Sequence, residues 1–403
     1  MKKYIILIII LLVIVQIKAK AQYSINTNTS SQEKEIIDTD LRNNTNEISE
    51  QVWQGIPGVE RTNRGRVFIS WFTGGDREPS LEQIVLLCYS DDNGNTFNEP
   101  LILGVQKNGA RCFDPRLWID PNGRLWYIFN RSNKEKALHG VYARICNDPD
   151  ATMPVFGEEF RVGFDVPFAF GMNKPTVLSS GEWIMPVTYA TDSIHDWFAG
   201  SKQLQGVGIS TDEGNTWNFS GAVKAPEWAL ESMITELKDG RLWMLIRTGS
   251  GFLWESYSNN KGLTWSEAKT TSIANPGSRF FIKRLSSGNL LLVNHYKYEG
   301  RSHLTARIST DEGATWNEGF LLDERGGTNY ANGVIGGVSY PDGVQDKNGH
   351  IWIVYDRNRR GEGEILMAKF NEEDVIAGSN VSGKVSLKQI VNKLNKRTTD
   401  VHD

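Results

Sequence analysis

The fold is decided by the stretch Ser309-Thr310-Asp311-Glu312-Gly313-Ala314-Thr315-Trp316, because this stretch recurs three more times along the chain. A close copy occupies residues 210–217, and looser copies occupy residues 90–97 and 258–265. In the pattern S-x-D-x-G-x-T-W, the Asp or Asn side chain can accept hydrogen bonds from nearby backbone N–H groups, and the glycine supplies the positive φ that closes a tight turn. Four copies therefore predict an array of repeated units, most of which carry one such turn.

A second repeat supports the first. Six times, a strand-like run reaches a glycine-containing turn and is followed by an apolar strand; these hairpins span residues 56–72, 114–130, 173–189, 231–247, 278–295 and 340–356. The spacing leaves room for two more strands per unit, with the S-x-D-x-G-x-T-W turn between them. Six units of four antiparallel strands predict an all-β fold, a six-bladed β-propeller over residues 48–370. We expect residues 48–53 to close the ring beside residues 364–370, and tryptophans to pack between blades (Trp118, Trp126, Trp243 and Trp352).

The composition excludes several classes of protein. The chain has 403 residues, 39% hydrophobic and 23% charged, with a formal net charge of −4, and it contains no long basic run, so no nucleic-acid partner is expected. The three cysteines, Cys88, Cys112 and Cys146, are an odd number without the spacing of metal ligands, which indicates buried thiols. We expect no metal, no cofactor and a monomer.

The two ends of the chain differ from its middle. Residues 1–21 have a basic start, an apolar core and an A-x-A site, which predicts a secretory signal peptide cut after Ala21. Residues 22–47 are polar and predict a flexible leader. The protein is therefore expected to be exported, to a periplasm or to the medium, with no membrane span in its mature form. Residues 371–403 form a tail in which Val385–Leu394 has the pattern of an amphipathic helix.

The candidate site lies where the inner strands of the blades begin, because these strands surround one axis. Their first residues are unusually polar for positions that open a buried strand. Together with nearby loop positions they supply Arg111, Asp114, Lys174, Tyr189, Glu231, Arg247, Arg279, His295, Arg301, His303, Tyr340 and Asp342. Guanidinium groups bind carboxylates in pairs of hydrogen bonds, while acids and phenols transfer protons. The set indicates an acidic ligand. The alternative for Asp114, Lys174, Arg279 and Asp342 is a structural ion pair at the axis.

The repeats and these openings resemble the sialidase superfamily with bacterial neuraminidase repeats, over most of residues 50–370. The resemblance implies an exo-acting glycoside hydrolase with Tyr340 as nucleophile and Glu231 as its base. It implies Asp76 as the acid/base residue, in a loop that also holds Glu78 and Glu82, and it assigns Arg247 and Arg301 to the carboxylate of the substrate. A tyrosine suits such a substrate because an uncharged phenol is not repelled by the sugar's carboxylate, and tyrosine nucleophiles are a known exception among retaining glycosidases.

One departure from the family leaves the substrate open. Where sialidases carry the motif Arg-Ile-Pro, this chain has Gln54-Gly55-Ile56-Pro57, so the first of three arginines is missing. Arg111 or Arg279 is a candidate replacement, and the acidic sugar is either a keto-acid sugar or a uronic acid. Two other functions stay open. One is β-elimination on uronate-containing oligosaccharides, in which Tyr340, Tyr189, His295 or His303 could serve, and the other is non-catalytic glycan binding. The stretch 357–360 is expected to be an exposed hairpin end.

Overall fold

The computed structural model describes residues 51–132, 139–164, 166, 169–171, 173–190, 203–226, 228–326 and 337–394, together with the backbone of residues 328–330 and 333–335. All of them belong to one compact unit of the chain. The predicted signal peptide, the predicted leader and residues 48–50 lie outside them, as do the last nine residues, 395–403. Within the described residues, no helix has both the length and the hydrophobicity that crossing a bilayer demands.

In the described residues, six antiparallel sheets of four or five strands follow one another, which confirms the six-bladed propeller. Their strands are β1 Gln54–Arg61, β2 Val67–Thr73, β3 Ile84–Ser90 and β4 Leu101–Gly104 in blade one; β5 Arg111–Ile119, β6 Leu125–Ser132, β7 Gly140–Cys146 and β8 Phe160–Val162 in blade two; β9 Ala169–Gly171, β10 Thr176–Val177, β11 Trp183–Ala190, β12 Gln203–Ser210 and β13 Asn218–Val223 in blade three. Blade four holds β14 Ala229–Glu236, β15 Leu242–Thr248, β16 Phe252–Ser258 and β17 Lys269–Ala274; blade five holds β18 Phe281–Arg284, β19 Leu290–His295, β20 Leu304–Ser309 and β21 Phe320–Asp323; blade six holds β24 Val338–Gln345, β25 His350–Arg357, β26 Glu364–Asn371 and β27 Ser386–Lys393.

Three smaller features complete the described chain. The inner strand of blade three is interrupted, and its two pieces, β9 and β10, pair with different parts of β11. A short hairpin, β22 Thr328–Tyr330 with β23 Gly333–Ile335, precedes blade six. A helix, α1 Glu372–Ala377, connects the last two strands and ends at Gly378 in the left-handed conformation.

The repeated turn connects the third and fourth strands of its blade, and its hydrogen bonds are local. In the copy at 309–316, Asp311 Oδ1 accepts a hydrogen bond from the N–H of Thr315 at 2.9 Å, and Ser309 Oγ accepts one from the N–H of Gly313 at 2.8 Å. Gly313 has φ of 89°, and a Cβ at this position would lie 2.5 Å from the Trp243 ring of blade four. The glycine is therefore required both by the turn and by the packing of one blade on the next.

The same contact recurs around the ring. A Cβ at Gly214 would lie 2.7 Å from Trp126 of blade two, and a Cβ at Gly94 of blade one would lie 3.2 Å from Trp352 of blade six. The prediction that Trp126, Trp243 and Trp352 pack between blades is confirmed. The cysteines are free and buried, also as predicted.

Two predictions about the C-terminal part are wrong. Strand β26 pairs with β25 on one side and with β27 on the other, so residues 386–393 occupy the place that was expected for residues 48–53. The propeller thus extends to Lys393. The stretch Val385–Leu394 forms this strand and not a helix, and the helix of the tail is α1. Blade one meets blade six instead through its inner strand, where the N–H of Ile56 donates to Asp356 Oδ2 at 2.7 Å.

Candidate active site

Four inner strands share a bulge near the end where they begin. The pairing register shifts in β1 between Gly55 and Gly58, and at the equivalent places in β5, β14 and β24. Within each bulge a non-glycine residue has positive φ: Ile56 (57°), Asp114 (49°), Glu231 (54°) and Tyr340 (58°). Such a conformation costs on the order of 1–3 kcal/mol and is concentrated at functional sites, and bulges redirect side chains. Three of the four carry an ionisable group.

Glu231 and Tyr340 are joined by one arginine. Arg247, on β15, donates from Nη1 to Glu231 Oε2 at 2.6 Å and also to the hydroxyl of Tyr340 at 2.8 Å. Its Nε donates to the carbonyl oxygen of Gly277 at 2.9 Å. All three side chains are buried. The expectation that Arg247, Glu231 and Tyr340 converge from blades four and six describes the geometry correctly.

The ring of Tyr340 is surrounded by cations. The guanidinium carbons of Arg359, Arg279, Arg247 and Arg301 lie 4.2, 5.2, 5.4 and 5.5 Å from the ring centroid. Each distance is within the range of a cation–π contact. Arg301 donates from Nη2 to the carbonyl oxygen of Gly277 at 3.0 Å, the same oxygen that Arg247 uses. The site therefore concentrates positive charge around one phenol.

Burial and charge shift the pKa values of this group. Burial raises the pKa of the Tyr340 phenol, against the lowering effect of Arg247, while the Glu231 carboxylate adds to the rise. Burial lowers the pKa of Arg301 to about 10, and the neighbouring cations Arg247 and Arg359 act in the same direction. The phenol is thus neutral until a base takes its proton, and the charges of Arg247 and Arg359 repel that of Arg301.

A second group of acids lies beside the first. Glu78, in the loop between β2 and β3, has an oxygen 4.0 Å from Arg111 Nη1 and another 3.9 Å from Arg359 Nη1. Burial, with the charge of Asp114, raises the pKa of Glu78 to about 7. Burial also raises the pKa of Asp114. In contrast, the side chain of Asp76 is 81% exposed, and its described ion pair is with Arg77 at 4.0 Å.

Two candidate residues, Lys174 and Asp342, connect the inner strands of different blades near the axis. Lys174 Nζ donates to the carbonyl oxygens of Val59 and Gly343 at 2.7 and 3.0 Å and lies 3.0 Å from Asp342 Oδ2. Asp342 Oδ2 also accepts from the N–H of Val59 at 2.9 Å. These contacts join blades one, three and six. They correspond to the structural ion pair at the axis that was the alternative for Lys174 and Asp342.

Three other candidates form their described hydrogen bonds with residues outside this group. The hydroxyl of Tyr189 donates to the carbonyl oxygen of Gly221 at 3.3 Å. His295 Nδ1 lies 2.7 Å from the carbonyl oxygen of Ser302, and burial lowers the pKa of His295 to about 3. His303 Nδ1 lies 2.8 Å from Ser302 Oγ. Both histidines thus stabilise the turn that leads into β20.

Two residues of the site were not selected by sequence reasoning as site residues. Glu78 was named only as another acid in the loop of Asp76, and Arg359 was placed in an exposed hairpin end. That interpretation holds for Arg360, which is exposed, but not for Arg359, whose side chain is only 15% exposed. A weak signal existed for both residues: each lies in a short loop close in sequence to an inner hairpin.

The six blades and the buried cluster of Glu231, Arg247 and Tyr340 define a β-propeller with a candidate active site. The sequence places the chain in a family. Residues 65–353 match the family model described as the BNR repeat-like domain. Since this match covers well over half of the chain, the protein belongs to that family. No curated protein matches the sequence.

Solved structures resemble the protein over most of its length. The Hadza microbial sialidase Hz136 has a TM-score of 0.65 at 17% identity, covering 82% of this chain and 67% of that one. The intramolecular trans-sialidase from Ruminococcus gnavus has a TM-score of 0.60 at 15% identity, covering 80% and 95%. A protein of unknown function from Dyadobacter fermentans DSM 18053 has a TM-score of 0.59 at 18% identity, covering 80% and 94%. The resemblance to the sialidase superfamily is thereby confirmed at the level of fold.

Proposed function

We propose that the protein is an exo-acting glycoside hydrolase that removes an acidic sugar from oligosaccharides or polysaccharides. The observation that carries this proposal is the shared hydrogen bonding of Glu231 and Tyr340 to Arg247 Nη1, at 2.6 and 2.8 Å, in a buried site. Two of the similar structures are a sialidase and a trans-sialidase. Their names support an acidic sugar as the substrate.

Tyr340 is the nucleophile of the proposed reaction. Its oxygen attacks the anomeric carbon, the glycosidic bond breaks, and the phenolic proton passes to Glu231. Water then attacks the anomeric carbon of the tyrosyl intermediate, the tyrosyl oxygen leaves, and Glu231 returns the proton. Arg247 and Arg301 bind the carboxylate of the sugar, since charge-assisted hydrogen bonds from guanidinium to carboxylate are among the strongest in proteins.

Glu78 is the proposed acid/base residue, in preference to Asp76. In the first step it donates its proton to the leaving glycosidic oxygen, and in the second it takes a proton from the attacking water. A pKa of about 7 gives Glu78 both protonation states near neutral pH. Its side chain is 30% exposed, which leaves it accessible to substrate. Asp76 is accessible too, but its described ion pair is with Arg77 and not with the arginines of the site.

The test measures hydrolysis by the full chain on 4-methylumbelliferyl glycosides of N-acetylneuraminic acid, of its deaminated analogue, of 3-deoxy-D-manno-octulosonic acid and of glucuronic acid. We expect turnover of at least one, and its loss in Tyr340→Phe. The matched control is Tyr296→Phe, a partly exposed tyrosine whose hydroxyl bonds to Glu318 at 3.2 Å. Equal turnover by Tyr340→Phe and the unmodified chain overturns the assignment.

Two other outcomes identify the rival functions. Release of a product with the ultraviolet absorbance of an unsaturated uronate, from uronate oligosaccharides, indicates β-elimination. Binding without turnover, unchanged in Tyr340→Phe and Glu231→Gln, indicates a glycan-binding propeller.

A further inference from the structure

The side chain of Arg359 crosses the backbone of Gly55. A Cβ at Gly55 would lie 2.7 Å from Arg359 Nε, 2.9 Å from its Cδ and 3.0 Å from its Cγ. The φ of Gly55 lies outside the left-handed region. The glycine is therefore required by space and not by backbone conformation: any other residue at position 55 displaces Arg359.

Arg359 is fixed in this position by a buried acid. Its Nε donates to Asp356 Oδ2 at 3.0 Å, and the same oxygen accepts from the N–H of Ile56 at 2.7 Å. Asp356 Oδ1 accepts from the hydroxyl of Ser339 at 3.0 Å. Asp356 thus ties Arg359 to the residue after Gly55 and to the residue before Tyr340. The backbone assists, because the N–H of Gln54 donates to the carbonyl oxygen of Arg359 at 3.2 Å.

The guanidinium that results lies between the proposed nucleophile and the proposed acid. It is 4.2 Å from the Tyr340 ring centroid, and its Nη1 is 3.9 Å from Glu78 Oε2. Arg301 and Arg247 approach the same ring from blades five and four. These three cations are directed at one phenol, and the described hydrogen bond of Arg301 goes to a neutral carbonyl oxygen, which favours an anion among them. Arg279, the fourth, donates instead to the carbonyl oxygen of Pro57 at 2.8 Å.

We propose that Arg359 binds the carboxylate of the acidic sugar together with Arg247 and Arg301, and that Gly55 is the open position that admits it. This inference rests on the proposed function. Position 55 is where the Arg-Ile-Pro motif carries an arginine. In this chain the third guanidinium reaches the site from the loop between β25 and β26, on the opposite side of the junction of blades one and six. Neither Arg111 nor Arg279 is needed as its replacement.

The experiment measures binding of 2,3-didehydro-2-deoxy-N-acetylneuraminic acid, its methyl ester and D-glucuronate to the full chain by calorimetry. Hydrogen bonds to charged groups predict a loss of affinity of roughly 10- to 100-fold in Arg359→Ala for the free acid that binds. Binding of the methyl ester should change far less, because the ester lacks the negative charge. The matched control is Arg360→Ala, the exposed neighbour in the same loop.

Position 55 supplies the decisive comparison. Gly55→Ala should weaken acid binding as Arg359→Ala does, and should have no further effect when combined with it, because both remove the same guanidinium. The double variant Gly55→Arg/Arg359→Ala should recover affinity by supplying an arginine from blade one. Equal affinity of Arg359→Ala and the unmodified chain, or additive effects of the two single variants, overturns the inference.

Failure of the proposed function gives a different result. In that case the unmodified chain binds no acidic sugar and hydrolyses none, and the role of Arg359 falls with it. If circular dichroism shows that Arg359→Ala does not fold, Arg359→Lys replaces it. Lysine keeps the charge but loses the planar pair of donors, so an intermediate loss of affinity is expected, and an unchanged affinity counts against the inference.

Discussion

Glu231 Oε2 and the hydroxyl of Tyr340 share a single donor, Nη1 of Arg247. In the proposed reaction these two groups act as nucleophile and base, and the guanidinium that they share would stabilise whichever oxygen carries the charge. The bulges at Glu231 and Tyr340 place the two groups in this arrangement, since both residues have positive φ. The backbone cost at these positions is therefore linked to the proposed chemistry.

Glu231→Gln should lower kcat by about 10²- to 10⁴-fold, the usual contribution of a general base, and should change KM little. The amide keeps the volume and accepts a hydrogen bond from Arg247, but it cannot take the proton of Tyr340. Steady-state kinetics on the substrate identified in the glycoside panel measures the effect. Glu267→Gln, an exposed glutamate, is the control. A normal kcat in Glu231→Gln contradicts its role as base.

Glu78 should set the alkaline limb of the pH profile. Burial raises its pKa to about 7, and a general acid must be protonated, so kcat/KM should decline above about pH 7. Glu78→Gln should lose most activity with substrates that have a poor leaving group, and less with 4-methylumbelliferyl glycosides, which need little protonation. Comparing Glu78→Gln with Asp76→Asn decides between the two acids. Loss of the alkaline limb in Asp76→Asn alone identifies Asp76 as the acid.

The same pKa shift affects stability. The pKa of Glu78 in the folded protein, about 7, lies above its ordinary value of 4.5, so between these values the unfolded chain has lost a proton that the folded chain retains. Its contribution favours folding fully below pH 4.5 and is lost as the pH rises through 7. Urea unfolding at pH 5 and pH 8 should show a smaller decline in Glu78→Gln than in the unmodified chain.

The fold was largely predictable from the sequence because its signals are local. The S-x-D-x-G-x-T-W turns and the glycines of the inner hairpins fix their own conformation, as Gly240 and Gly349 do with φ of 83° and 84°. The last strand was missed for a physical reason. Residues 386–393 form an edge strand that is partly exposed on both faces, so its hydrophobic residues do not alternate and instead match a helical period.

The site was predictable only in part. Glu231, Arg247 and Tyr340 stand at repeated positions of the blades, so the repeat itself locates them. Glu78 and Arg359 lie in loops, where the direction of a side chain depends on the rest of the fold. The contact of Arg359 with Gly55 joins residues from the two ends of the propeller, and no local pattern encodes it.

The turns should contribute pH-dependent stability. Hydrogen bonds from the side chain and N–H of Thr315, and from Ser309, lower the pKa of Asp311 to about 2 from an ordinary value of 3.8. The contribution of this carboxylate is present above pH 3.8 and is lost as the pH falls through about 2. Asp311→Ala should lower the melting temperature at pH 7.

The variant Asp311→Asn separates the effect of the hydrogen bond from the effect of the charge. Asn260 fills the same place in the turn at 258–265, where its Oδ1 accepts from the N–H of Thr264 at 2.9 Å. Asn at position 311 should therefore preserve most of the stability at pH 7 while removing the dependence on pH in the acid range. Equal melting temperatures for Asp311→Ala and the unmodified chain contradict a structural role.

A variant of Lys174 tests whether this residue holds the blades together or binds the substrate. The Lys174 side chain is 9% exposed, and its Nζ lies 3.0 Å from Asp342 Oδ2. Removing one partner of a buried ion pair usually costs about 3–5 kcal/mol, because the other charge stays buried without compensation. Lys174→Met should therefore lower the free energy of unfolding by that order, and Lys174→Met/Asp342→Asn should recover part of it. In the folded protein, KM for the acidic substrate should be unchanged. A raised KM with a normal free energy of unfolding would instead identify Lys174 as a substrate-binding residue. A cation whose role is to bind the sugar's carboxylate contributes little to the stability of the protein without substrate.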